Sequence, residues 1–307
     1  MKGVVVKSTG SWYLVRDAEG KLHRSRLRGK FKLKEMKVSN PLAVGDRVEF
    51  DVEDTGEDTA VIYNIEDREN YIIRQSTHKS AHSHIIAANL DQALLIVTLV
   101  SPRTSFGFID RFLVTAEAYE IPTILVFNKT DLYDEDIQNY QRQISHMYQQ
   151  VGYDSLSVSA TENEGLSELL ALLQGKTSLL SGHSGVGKST LINLLVPDLE
   201  LKTSGISDFS DKGVHTTTFA EMFEVSADTY IIDTPGIKEL GIVDIPAAEL
   251  GHFFPEMRER LNQCRFHNCT HFNEPGCAVL EAVRRNEISL TRYESYLSML
   301  HGGDNRK

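Results

Sequence analysis

Cysteine is scarce in this 307-residue chain: there are three, none before position 264. An odd set crowded into positions 264–277 does not suit the disulfide framework of a small secreted domain. Long apolar runs are also missing. No stretch approaches the ~18 residues of a membrane span. The opening Met1–Val6 is broken by Lys7 and is too short for a signal-peptide core. The expectation is a cytoplasmic protein with no membrane partner. No internal repeat is visible, which removes solenoid architectures. What remains is ordinary globular material, 41% hydrophobic and 24% charged, in a chain long enough for two or three cores.

The charge is unevenly spread. The whole chain carries −11, yet residues 1–50 hold twelve Lys/Arg against five acids, a balance of +7 that leaves −18 for the rest. That asymmetry suggests a polyanion-binding module on an acidic body. Residues 1–70 read as β structure. Gly3–Val6, Ser11–Val15 and Arg47–Val52 are short β-branched or aromatic runs separated by turn signals such as Asn40-Pro41 and Val44-Gly45-Asp46. About five short strands fit a small barrel, with an OB-fold the natural candidate. Eight Lys/Arg lie between Lys21 and Lys37, and Lys30–Lys34 alternates so that one strand face would be cationic. Phosphate attraction with base stacking is how such barrels bind RNA. The acidic stretch Asp51–Asp58 reads as a hairpin tip.

From about 71 to 240 apolar strands alternate with amphipathic helices, the pattern of a parallel sheet covered on both faces. Expected strands are Ala93–Val97, Thr123–Phe127, Ser155–Ser159, Ser178–Ser181 and Tyr230–Ile232. The strand Ser178–Ser181 runs into Gly182-His183-Ser184-Gly185-Val186-Gly187-Lys188-Ser189, a full P-loop signature, with Thr190 continuing the helix. Its glycines let backbone N–H groups wrap phosphates at a helix N-terminus. Lys188 would reach the β and γ phosphates, and Ser189 would place its hydroxyl on Mg²⁺. Some 50 residues earlier, after a strand, stands Asn128-Lys129-Thr130-Asp131, which reads guanine. The Asp131 carboxylate can accept from both N1–H and the 2-amino group, donors that adenine lacks. Ser159-Ala160 matches the weaker loop that contacts guanine O6 through a backbone N–H.

Asp233-Thr234-Pro235-Gly236 matches D-x-x-G. Asp233 would hold Mg²⁺ through a water and Gly236 would sense the γ-phosphate. Gly213–Thr218 sits where a mobile switch threonine belongs, and Thr217 is the candidate ligand of Mg²⁺ and the γ-phosphate. Base reader, phosphate loop, switch elements is a circularly permuted order for a GTPase. One group is absent. Ras-like enzymes carry a glutamine directly after D-x-x-G to orient water, and here the position is Ile237. His215 is a polar candidate for that task.

From about 245 strand signals vanish. Cys264-x4-Cys269-x-His271-x5-Cys277 supplies three thiolates and an imidazole, a closed donor set for structural Zn²⁺. His267 and His252 are alternative nitrogen ligands. Two helical stretches follow, Ala278–Arg285 and Ile288–Leu300, with Asn286 able to take the left-handed conformation that ends a helix.

NKTD, GHSGVGKST, GVHTTT and DTPG, behind a leading barrel and ahead of C-x4-C-x-H-x5-C, resemble the ribosome-small-subunit-dependent GTPase A family over nearly the whole chain. The resemblance implies a multidomain α/β protein: an OB-fold RNA-binding domain over 1–70, a circularly permuted GTPase domain over 71–243 and a small α-helical zinc-binding domain over 244–307. It implies hydrolysis of GTP to GDP stimulated by the small ribosomal subunit, rRNA binding, a role in late maturation of that subunit, and a catalytic role for His215. A monomer is expected. The alternative is a GTP-dependent RNA-binding scaffold with negligible hydrolysis, which Ile237 keeps open. In either case switch II is close in sequence to the C-terminal module, so nucleotide state could set that module's orientation.

Overall fold

The computed structural model describes residues 1–10, 12–28, 40–53, 59–74, 84–196, 199, 220–234 and 245–303. The stretch Lys30–Lys34, most of the expected tip at 51–58, and His215, Thr217, Gly236 and Ile237 lie outside them.

The N-terminal strands are β1 (Lys2–Ser8), β2 (Tyr13–Asp17), β3 (Leu22–Leu27), β4 (Arg47–Val52) and β5 (Thr59–Ile65). They pair in the order β1-β2-β3-β5-β4, and β4 returns to β1. Only the β3–β5 contact is parallel. This closed five-strand order is that of an OB-fold. Alternate residues point inward, so Val5, Tyr13, Val15, Val48, Phe50 and Ile62 fill the barrel. On β3 the alternation buries His23 and Ser25 and exposes Arg24 and Arg26, with Arg28 exposed just beyond the strand. The hairpin β6 (Tyr71–Arg74) and β7 (His84–Ala88) forms a separate two-stranded sheet.

The α/β layer contains β8 (Gln92–Val97), α1 (Phe106–Ala118), β9 (Thr123–Phe127), α2 (Glu135–Gln149), β10 (Ser155–Ser157), α3 (Leu166–Leu173), β11 (Thr177–Ser181), α4 (Lys188–Leu195), β12 (Glu221–Ser226) and β13 (Thr229–Asp233). Its order is β10-β9-β8-β11-β13-β12, parallel except at β12. β8 is buried along its whole length, as expected for a strand covered on both faces. One face packs Phe108, Ile109 and Phe112 of α1 with Ile144 and Tyr148 of α2. The other packs Leu169 and Leu173 of α3 with Leu191 and Ile192 of α4. Chain order therefore reverses between β8 and β11, and a crevice opens at their carboxyl ends.

β12 joins the two sheets. Lys7 of β1 pairs with Glu221, and its ammonium lies 2.8 Å from that carboxylate. Arg16 meets Glu224 at 2.5 Å and stacks over the Tyr230 ring.

The C-terminal region adds α5 (Pro255–Arg258), α6 (Ala278–Arg284) and α7 (Leu290–Leu300). Asn286, between α6 and α7, is left-handed with φ 59°. This region packs against α1, whose Val114 enters a core with Leu250, Phe254, Met257 and Tyr296. Arg292 is buried at the junction. It donates to Asp110 on α1 at 2.7 Å and to Glu256 at 2.8 and 3.0 Å. Tyr148 of α2 also donates to Asp110. The described contact of the C-terminal region is thus with α1, while residues 235–244, which follow Asp233 in the chain, lie outside the description.

Candidate nucleotide and metal sites

The buried strand β11 ends at Ser181, and α4 begins at Lys188. The turn between them needs backbone that only glycine takes easily: Gly185 has φ 87° and Gly187 has φ 95°. A Cβ at Gly187 would strike the Asn128 amide. Val186 is buried in the sheet core and pins the turn. The Lys188 ammonium donates to the loop carbonyls of Gly182 at 2.6 Å and His183 at 3.3 Å. Burial lowers its pKa, and the nearby Asp233 carboxylate opposes that shift. Ser189 and Thr190 are half-buried in the first turn of α4.

Asp233 closes β13. Burial raises its pKa, against the pull of Lys188 and the Thr234 N–H. Its Oδ1 is buried without a hydrogen-bond partner among the described residues. An unpaired interior carboxylate oxygen is costly, and a divalent cation or the water it carries would satisfy it. The residues therefore fit Mg²⁺.

The base-reading turn follows β9. Asn128 is buried; its amide donates to Val186 O at 2.8 Å and its carbonyl accepts from Ala160 N at 3.3 Å. One side chain thus ties the N-K-x-D turn to both the glycine-rich loop and the Ser159-Ala160 loop. Asp131 accepts a 2.6 Å hydrogen bond from Ser159 Oγ. Lys129 is left-handed, φ 64°, and its ammonium donates to Ser101 O at 2.6 Å. Tyr133 donates to Asn128 O and accepts from Leu99 N.

Asn128, Lys129, Asp131, Ser159, Ala160, residues 182–190 and Asp233 therefore meet at the carboxyl ends of the sheet. Three neighbours carry no sequence signal. Ser101 and Thr104 lie in the polar loop after β8, and Tyr133 follows the base reader. Only tertiary packing brings them to the site.

In the C-terminal region Cys264, Cys269, His271 and Cys277 bring their ligand atoms within 4.8 Å of one another. Cys264 Sγ lies 3.9 Å from Cys277 Sγ and 3.6 Å from His271 Nδ1, which is 3.4 Å from Cys277 Sγ. A tetrahedron with metal–sulfur bonds of about 2.3 Å and a metal–nitrogen bond of about 2.0 Å has edges of roughly 3.5–3.8 Å. The Cys264, His271 and Cys277 spacings lie close to those edges, and Cys269 completes a donor set suited to such a metal within 4.8 Å. His252 and His267 stand outside the cluster. Burial pushes the Cys269 thiol up to about 12, with the neighbouring thiols adding to it; a bound cation would reverse that logic. Glu274 braces the turn, accepting from the Thr270 N–H and hydroxyl and from the N–H groups of Phe272 and Asn273. Burial alone would raise its carboxyl, but these donors hold it at about 2.

A doubly wound sheet with a glycine-rich loop opening a helix, bonded to an N-K-x-D turn that precedes it in the chain, defines a circularly permuted P-loop GTPase. Comparison with known proteins agrees. The RsgA GTPase family model matches residues 65–243 and the RsgA N-terminal domain model residues 2–62. The chain belongs to the RsgA GTPase family. It is 52% identical over 307 residues to a Bacteroides fragilis protein named small ribosomal subunit biogenesis GTPase RsgA, covering all of this chain and 98% of that one. A protein of the same name from Cytophaga hutchinsonii is 53% identical, with both chains covered in full. Among solved structures, YjeQ from Thermotoga maritima matches with a TM-score of 0.79 and 38% identity, over 100% of this chain and 99% of that one. YloQ, described as a circularly permuted GTPase, matches with a TM-score of 0.74 and 30% identity, over 100% and 96%.

Proposed function

We propose that this GTPase hydrolyses GTP on the small ribosomal subunit and serves in that subunit's biogenesis, as the names of its relatives say of them. The observation that carries the reading is the Asn128 side chain, which locks base reader and phosphate loop into one site. In it Asp131 selects guanine, Asn128, Lys129, Ser159 and Ala160 frame the base, and residues 182–190 cradle the phosphates. Ser189 and Thr217 would hold Mg²⁺, with the Asp233 carboxylate assisting. That ion would neutralise charge on the β and γ phosphates. Gly236 senses the γ-phosphate and His215 orients the attacking water.

Three units divide this labour: 1–70, 71–243 and 244–307. The first binds rRNA, supported by the outward row Arg24, Arg26 and Arg28 and by Arg24 stacked 4.2 Å over Trp12. The last holds Zn²⁺, supported by its Cys₃His donors. The protein acts as a cytoplasmic monomer.

GTP turnover with and without isolated small subunits tests this. Strong stimulation, with subunit binding that falls steeply as salt rises, is the expected result. Ile237 in place of the water-orienting glutamine favours a second reading, an RNA-binding scaffold that hydrolyses little. Turnover unchanged by subunits would leave that one standing.

A further inference from the structure

The loop between β8 and α1, residues 98–105, belongs to none of the nucleotide motifs, yet it packs on two of them. It lies at the crevice where chain order reverses, beside the glycine-rich loop of β11. Thr104 Oγ1 is 2.7 Å from His183 Nε2 and accepts the Thr98 N–H at 3.0 Å. The Thr104 N–H in turn donates to Thr98 O at 2.7 Å. The hydroxyl is therefore held by its own loop before it meets His183.

The other ring nitrogen of His183, Nδ1, is 3.0 Å from Ser184 O. A carbonyl only accepts, so Nδ1 carries the proton. Nε2 is then the acceptor, and the Thr104 hydroxyl donates to it. Phe108 of α1 meets the imidazole edge-on, ring centres 5.4 Å apart. The ring is thus fixed from three sides. A planar trans peptide puts its carbonyl and the following N–H on opposite sides. Holding Ser184 O toward His183 turns the Gly185 N–H away from the imidazole. Pro102 Cδ stands 3.3 Å from where a Gly185 Cβ would sit, so the same loop walls that turn. Its Ser101 carbonyl also holds Lys129.

We propose that Thr104 is a positioning residue for phosphate binding: through His183 it fixes the Ser184–Gly185 peptide with its N–H turned to the phosphates. This rests on the reading of Gly182–Ser189 as the phosphate loop. The contact acts before the nucleotide arrives, so it lowers the ordering cost of binding. It serves ground state and transition state alike, which places its effect on KM and not on kcat.

The test is steady-state GTP hydrolysis and GDP binding on the full chain. Thr104→Val is expected to raise KM for GTP and Kd for GDP about tenfold, the size of one lost hydrogen bond, with kcat changed less than about twofold. Thr104→Ser, which keeps the hydroxyl, restores both. In a His183→Ala background Thr104→Val adds no further loss, because the route runs through the imidazole. Wild-type KM in Thr104→Val, losses that add in the double variant, or no rescue by serine overturns the proposal. Thr104→Ala is read the same way should the valine variant not fold. Lys188→Ala separates the two levels. If it leaves nucleotide affinity unchanged, the phosphate-loop reading fails and the proposal with it. If it weakens binding while Thr104→Val does not, only the proposal fails.

Discussion

Asp233 shows at the scale of one residue how a catalytic site is set against stability. Its carboxylate is buried, has an oxygen with no partner among the described residues, and has a raised pKa chiefly through loss of water. A carboxyl raised on folding destabilises the fold once it ionises. The penalty is absent below the ordinary value of 3.8, grows as pH climbs to the raised value, and is complete above it. Asp233→Asn is therefore expected to raise the melting temperature of the nucleotide-free protein at pH 7. That advantage should shrink as pH falls and vanish below the ordinary carboxylate value. The same variant should lose Mg²⁺-dependent GTP turnover. Melting curves across pH, paired with turnover, check both halves; an asparagine variant no more stable at pH 7 would count against the argument.

At the scale of elements, the Cys/His turn and α6 are one unit. Cys277 is the N-cap of α6, its sulfur accepting from the Leu280 N–H. Tyr293 and Tyr296 of α7 donate to the carbonyls of His271 and Thr270. A metal held by this cluster would therefore share residues with the helix packing, and its binding would contribute to folding. Removing the metal with a strong chelator should unfold this unit first, with partial loss of helical circular dichroism and early proteolysis beyond residue 250. Guanine nucleotide binding, which uses none of these residues, should persist at that stage. Simultaneous loss of both would show that the two sites fold as one.

Across the whole molecule, a buried guanidinium helps fasten the C-terminal region to α1 of the GTPase domain, beside the exposed contacts Arg258–Glu117 and Arg111–Gly303. Arg292 is 1% exposed and meets Asp110 of α1 and Glu256. Removing one partner from a buried ionic cluster strands the others, at about 3–5 kcal/mol. Arg292→Met should cost about that much, read as a lower denaturant midpoint. Limited proteolysis should separate the C-terminal region from the sheet. Replacing Arg292, Asp110 and Glu256 together by apolar residues of similar volume should recover most of the loss, since no stranded charge remains. The barrel is joined to the rest by the pairing of β1 with β12, by Lys7–Glu221 and Arg16–Glu224, by the Val44–Ala87 bridge and the hydrogen bonds of Asn40 with Ile85 and Asn89 with Gly45, and by Val6 and Val44 in the main core. The two ion pairs, partly exposed, contribute little individually.

Much of this was legible in the chain alone, for local reasons. The glycine-rich loop, N-K-x-D and the Cys/His spacing are short motifs whose chemistry sits within a few residues. The strands β8, β9 and β11 are buried runs that carry their own signal. β12 escaped because a bulge between Glu224 and Ser226 breaks its alternation. α2 was legible as well, since Ile137, Tyr140, Ile144, Met147 and Tyr148 recur at helical spacing and pack on the core. The composition of the first fifty residues set the cationic character of the barrel, and β3 displays it through simple alternation. Other features depended on contacts between segments far apart in sequence: Asn128 reaching Val186, Thr104 reaching His183, and Arg292 reaching Asp110. A hydrogen bond across 58, 79 or 182 residues leaves no periodicity or spacing to read, because only the folded sheet determines which loop ends become neighbours.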